Sequence, residues 1–259
     1  MNLPLQSTRC LTYLIVCGLT VITNTTMAQD KVTAEDVIKM HIKQLGGEEK
    51  LKSIKTIETQ SVMLLPGSTG DMEAEVDQIQ DGNKFLMVMN LPGLGEIQQG
   101  SDGKHFWTVN PFQGDKLMDK EEMAMAKEQF SSPFLALQWR KGYDGKITMK
   151  GEEDVDGTQC YKLEFAPSAG TPMTRFFAVD SGKMLRMDAV QKGPAGEVKV
   201  EVYLSDFKEV EGISVPYKQV TSMGEVDLIM EVESIKFNEE ISASKFKLPT
   251  SIQKLVDDK

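Results

Sequence analysis

Across residues 54–237, polar and apolar positions alternate with the two-residue period of β-strands, broken at short intervals by turn residues. Ile54 to Leu65 is a long run rich in β-branched residues, and Pro66-Gly67-Ser68-Thr69-Gly70 turns it back. Asp71 to Gln80 then places Met72, Ala74 and Val76 on one side. Asp81-Gly82-Asn83 is a hairpin signal. Lys84 to Asn90 differs, being apolar on both faces: Phe85, Met87 and Met89 on one, Leu86 and Val88 on the other. A strand of that kind is covered on both sides, so helices or a ligand fill one side of this sheet. Lys104 to Val109 repeats the pattern, with Phe106 and Trp107 on opposite faces.

Helical spacing appears in three places, once ahead of the strands and twice among them. Thr33 to Leu45 has a capping threonine, acids in its first turn and an apolar stripe of Val37, Ile38, His41, Ile42 and Leu45, ended by Gly46-Gly47. Asp119 to Phe130 has Asp119 as cap and Met123, Ala126 and Phe130 as its stripe. Pro133 to Arg140 starts with a favourable proline. Phe134, Leu135, Leu137 and Trp139 make it apolar nearly all round, so it is buried or plugs a space. Strands resume at Lys146–Glu152, Thr158–Ala166, Met173–Val179, Lys183–Val190, Glu197–Ser205, Ile213–Ser222 and Glu225–Phe237. The expected fold is mainly β (α+β): one domain, residues 29–259, built on an antiparallel sheet with a helical insertion.

The first 28 residues read as a signal peptide. Arg9 supplies the positive end, Leu11 to Ile22 the apolar run, and Thr26-Met27-Ala28 the cleavage site. The run is short for a membrane span, so the mature chain is expected to be exported and not integral to a membrane. Leu14-Ile15-Val16-Cys17 has the outline of a lipidation site, which would instead anchor the chain through Cys17.

Charge narrows the partners. The chain has 29 Lys and Arg against 39 Asp and Glu, a net charge of −10. Binding to nucleic acid and electrostatic docking on anionic lipid both call for a basic face, so neither is expected. The 16 methionines stand out beside 2 tryptophans; methionine packs irregular cores and adapts to varied ligands. Cys160 is the single mature cysteine, and His41 and His105 the only histidines. That supply argues against a metal centre of the usual nitrogen and sulfur kind. Asp154-Val155-Asp156-Gly157 imitates the start of a calcium loop without its closing glutamate and reads as a turn. No nucleophile elbow, phosphate loop or dinucleotide fingerprint occurs in context. No cofactor is expected, and the expected state is a monomer.

The order of features resembles the LolA/LolB-type lipoprotein-localisation factors and their periplasmic relatives. An N-terminal helix precedes a long sheet; Asp102-Gly103-Lys104-His105-Phe106-Trp107 leads to Asn110-Pro111; Ser132-Pro133-Phe134-Leu135 lies in a helical insertion; and Asn238 runs to Phe246-Lys247-Leu248-Pro249. The resemblance implies a strongly curved antiparallel half-barrel whose concave face is covered by helices, with an apolar space that accepts acyl chains. It also implies a periplasmic, non-catalytic carrier. Arg140 and Arg175 are candidates by type for the family's functional basic residue. The candidate lining residues are Phe85, Met87, Met89, Phe106, Trp107, Phe134, Leu137 and Trp139, with ordinary core packing as the competing role of each.

Three functions are compatible with this reading: a carrier of lipid, lipoprotein acyl chains or another hydrophobic ligand; a sensor or assembly module that binds an envelope protein; and a secreted hydrolase, for which any two carboxylates could meet in space.

Overall fold

A computed structural model describes residues 31–67, 70–130, 135–168, 170–193 and 196–258. The expected signal peptide, Cys17 and Phe134 lie outside the described residues. The chain divides into Met1–Lys31 and Val32–Lys259, and all the described helices and strands belong to the second unit.

Helix α1 (Ala34–Gln44) begins with a capping box. Thr33 Oγ1 accepts from the Asp36 amide at 3.2 Å, and the Asp36 carboxylate accepts from the Thr33 amide at 3.1 Å. After α2 (Glu48–Ser53) come β1 (Thr56–Leu65), β2 (Met72–Asp81), β3 (Lys84–Leu91), β4 (Gly95–Ser101), β5 (Phe106–Val109) and the short β6 (Lys116–Leu117). Helices α3 (Lys120–Phe130) and α4 (Leu135–Lys141) follow. The second run of strands is β7 (Gly145–Val155), β8 (Thr158–Pro167), β9 (Met173–Ala178), β10 (Met184–Gly193), β11 (Gly196–Val210), β12 (Ile213–Met223) and β13 (Val226–Phe237). A 3-10 turn (Ala243–Phe246) and α5 (Thr250–Asp257) end the chain.

All thirteen strands form one sheet in the order β6-β5-β4-β3-β2-β1-β13-β12-β11-β10-β9-β8-β7. Every neighbouring pair is antiparallel. The sheet is therefore two meanders, β1–β6 and β7–β13, zipped together where β1 meets β13. It does not close: β6 and β7 remain as edges, and the α3–α4 segment connects them. This is the mainly β, half-barrel class expected from the sequence.

The structure departs from the expected elements in two places. Strand β11 continues past Ser205 to Val210: Asp206 takes a left-handed conformation, φ 51°, yet the register with β12 is the same on both sides of it, Ser205 opposite Lys218 and Phe207 opposite Pro216. Helix α5 is not among the expected elements. Its Ile252, Leu255 and Val256 have helical spacing, but the segment is short and follows a proline.

Register assigns each residue a face. Gln80 pairs with both Ile57 and Phe85, and Ile57 pairs with Phe237, so these four point the same way. On this face α1, α2 and α4 pack over β7–β9, β12 and β13. Val37, Ile38 and Ile42 of α1, Leu51 of α2 and Trp139 of α4 join Leu163, Phe165, Phe177, Ile213 and Phe237 in one buried cluster. A second cluster, Val76, Phe85, Met87, Phe106 and Ala126 of α3, lies farther along the same face.

Gly182 shows how closely α1 seats on the sheet. It has φ +73°, and a Cβ there would stand 3.0 Å from the Met40 carbonyl carbon. Here the hairpin between β9 and β10 touches the helix backbone, a contact that only glycine permits.

The opposite face is covered at one end by the C-terminal segment. The 3-10 turn packs on β3 and α5 on β6. Lys84, on the Leu86 side of β3, holds its Nζ 6.0 Å from the Phe246 ring centroid.

Candidate functional site

Between its two buried clusters, the helix-lined face is apolar but only half-buried. One row of cross-strand partners runs Ala74, Met63, Met230, Gln219, Leu204. The next runs Thr221, Val202, Met187, Arg175, Leu163, Met149. Met63, Met230, Leu204, Val202 and Met187 are all half-buried. The methionine excess in the composition thus has a location. Met63, Met87, Met89, Met149, Met187 and Met230 all belong to this face, where an adaptable, polarizable surface suits a variable apolar occupant.

Arg175 is the one charged residue in that row. It is 1% exposed. Its guanidinium carbon lies 4.6 Å from the Trp139 ring centroid and 4.3 Å from that of Phe165. Trp139 and Phe165 themselves stand 4.8 Å apart. The two rings thus offer their electron-rich faces to a cation taken out of water, which offsets part of its desolvation cost. The Trp139 indole N–H is buried without a hydrogen-bond partner among the described residues, and an orphan donor of this kind costs about 1–3 kcal/mol.

His41 of α1 completes the aromatic group. Its ring stacks on Trp139 at 5.9 Å and meets the Phe177 edge at 5.0 Å. Its Nδ1–H donates to the Gly182 carbonyl at 2.8 Å. Burial, with the nearby Arg175 charge adding to it, pushes His41 down to about 4, so the ring is neutral at ordinary pH. Its role is structural, tying α1 to the hairpin between β9 and β10.

The eight candidate lining residues separate into groups. Phe85, Met87, Met89 and Phe106 gather under α3; Phe85 and Phe106 stand 5.8 Å apart, and Lys127 of α3 reaches to 5.2 Å over the Phe106 ring. Leu137 and Trp139 belong to the α1–α4 cluster on the same face. Trp107 points the other way: it pairs with Gly100, and a Cβ on Gly100 would lie 2.4 Å from its ring. It is fully buried on the face opposite Phe106.

Of the two basic candidates, Arg175 lies on the apolar face. Arg140 is an exposed residue that joins Lys141 in pairing with Glu48, docking α4 on α2. The sequence named Arg175 only by residue type. The signal that could have singled it out is its position between Met173 and Phe177, on the apolar side of β9.

The remaining chemistry-bearing groups do not converge. Cys160 pairs with Ala178 and belongs to a separate cluster with Val155 and Phe176. That cluster lies on the opposite face of the sheet from Phe177 and His41. Burial, reinforced by Asp154 and Asp180, pushes the Cys160 thiol up to about 11. Asp156-Gly157 forms a tight hairpin turn with φ 50° and 83°. Among the described residues, no group of three His, Cys, Asp or Glu could hold a metal ion. No described helix is long and apolar enough to cross a membrane.

No family model matches the chain, and no curated protein does. Solved structures do. A DUF1329 family protein from Desulfovibrio piger aligns at a TM-score of 0.56 with 13% identity, over 82% of this chain and 95% of that one. A LolA superfamily protein from Nitrosomonas europaea aligns at 0.56 with 10% identity, over 84% and 98%. An outer membrane lipoprotein-sorting protein domain from Vibrio parahaemolyticus aligns at 0.54 with 9% identity, over 82% and 95%.

Proposed function

With this LolA-like fold as the premise, we propose that the chain is an exported, non-catalytic carrier that holds lipid or acyl chains on its helix-lined face. The observation that carries the reading is the half-buried, methionine-rich stretch between the α3 cluster and the α1–α4 cluster. Each methylene moved there from water contributes about 0.8 kcal/mol, so a few acyl chains outweigh the cost of shifting a short helix. The description of the Vibrio domain as a lipoprotein-sorting protein supports the same ligand class.

The ligand would lie along the rows containing Met63, Met230 and Met187. At one end it meets Phe85, Met87, Met89 and Phe106, and at the other Leu137 and Trp139. The orphan Trp139 N–H favours an occupant with an acceptor, such as an ester carbonyl, at that end of the apolar body. The expected compartment is the periplasm. A hydrolase built on a Cys–His pair is disfavoured because Cys160 and His41 lie on opposite faces of the sheet.

Native mass spectrometry of the mature protein purified from its own envelope, followed by organic extraction, tests the reading. A stoichiometric lipid or acylated peptide is the expected result. A clean apo mass, together with no uptake of a fluorescent fatty acid, would overturn it.

A further inference from the structure

Leu94 and Phe112 are the most exposed large apolar residues described, at 51% and 59%. They cap neighbouring turns, between β3 and β4 and between β5 and β6. The turns touch: a Cβ on Gly95 would stand 3.7 Å from Pro111 Cγ. Two exposed apolar tips on one corner expose more apolar surface than scattered single residues do.

The sheet face beside this corner is acidic. Glu73, Glu75 and Asp77 alternate along β2 on the side away from the helix-lined face, and Asn90 brings Glu96 into line with Glu75. All four carboxylates are exposed, and none forms an ion pair among the described residues. The far half of the same face is built differently. There Lys150 pairs with Glu164 at 2.8 Å, Lys162 with Glu153 at 2.6 Å and Arg186 with Asp188 at 2.7 Å. One half of the face neutralises its own charge, while the half next to Leu94 and Phe112 leaves like charges to repel each other. The C-terminal turn packs on β3 and α5 on β6, toward the Trp107 end of this face, and Val88 of β3 is half-buried.

We propose that this corner docks a basic, amphipathic protein segment, with its cations over Glu73, Glu75, Asp77 and Glu96 and its apolar side chains on Leu94 and Phe112. Charge complementarity selects the occupant. An anionic bilayer or a nucleic acid would be repelled by the same carboxylates. The docking corner lies outside the helix-lined face, so it stands independently of the carrier reading.

The test is fluorescence anisotropy with three labelled helical peptides: one of lysine and leucine, one of lysine and serine, and one of glutamate and leucine. The lysine–leucine peptide should bind tightest, the lysine–serine peptide about tenfold more weakly, and the glutamate–leucine peptide not at all. Leu94→Ser with Phe112→Ser should erase the preference for leucine. Glu73→Gln with Glu75→Gln and Glu96→Gln should flatten the salt dependence. Because every substituted side chain is exposed, both variants should melt like the parent. No binding of the lysine–leucine peptide, or equal binding by parent and variants, would overturn the proposal. So would sedimentation with phosphatidylcholine vesicles that is lost in the Leu94–Phe112 variant without any peptide preference, which would reassign the corner to a membrane.

Discussion

Trp139 and Trp107, the two tryptophans of the chain, lie on opposite faces of one sheet: Trp139 packs on Phe165 and Arg175, Trp107 on Gly100. Each face therefore carries its own fluorophore. A lipid titration of Trp107→Phe, which keeps Trp139, should change both emission maximum and intensity. The same titration of Trp139→Phe, which keeps Trp107, should leave emission nearly constant. A response confined to Trp107 would place the ligand on the wrong face.

His41 links stability to acid. Unfolded, it takes up a proton near its ordinary value of 6.5; folded, only near 4. Between those values the unfolded chain binds more protons. The stabilisation is therefore complete above about pH 6.5 and is lost as pH falls toward 4. The gap corresponds to at most about 3 kcal/mol. Urea denaturation at several pH values should show this slope in the parent. His41→Gln should flatten it within the same window.

Gly100 leaves the space that the Trp107 ring occupies. Adding side-chain atoms there forces the indole aside or the strands apart, so Gly100→Val should cost about 1–3 kcal/mol. Trp107→Ala should cost about 3–5 kcal/mol, because it empties a fully buried site. Thermal melts would measure both. Fatty-acid uptake by either variant, compared at a temperature where it remains folded, should stay close to the parent's.

Cys160 should be inert while the chain is folded. It is fully buried, and its thiol is shifted up to about 11, so little thiolate is present or accessible at neutral pH. A chromogenic thiol reagent should react with less than a tenth of the protein over the minutes that free cysteine needs, and with all of it in denaturant. Fast native labelling would show that the cluster of Val155, Cys160 and Phe176 opens readily.

The strands and the hairpins between them were legible because alternation and turn residues are local signals. The opposite facing of Phe106 and Trp107 was legible for the same reason. Strand order was not, because nothing in Thr56–Leu65 announces that Val226–Phe237 will lie beside it. The site suffered from the same gap. Arg175 becomes distinctive only when the order of β8, β9 and β10 brings Leu163 and Met187 to its sides and α4 lays Trp139 over it. The Phe85 group could be read as apolar, but the face it shares with Ile57 and Phe237 emerges only through the pairing registers. The acidic corner was hidden as well, since Glu75 and Glu96 lie far apart along the chain and meet only across β3.

The seam between β1 and β13 also sets a clock. Its partners, such as Ile57 and Phe237, are among the most distant in the chain, and contacts of such separation slow folding. Each meander can form its own hairpins early, but neither can join the other until the last strand is available. A chain emerging N-terminus first therefore cannot complete its sheet until Val226–Phe237 has been delivered. Until then β1 waits with an open edge, and any truncation ahead of Val226 should leave it open permanently.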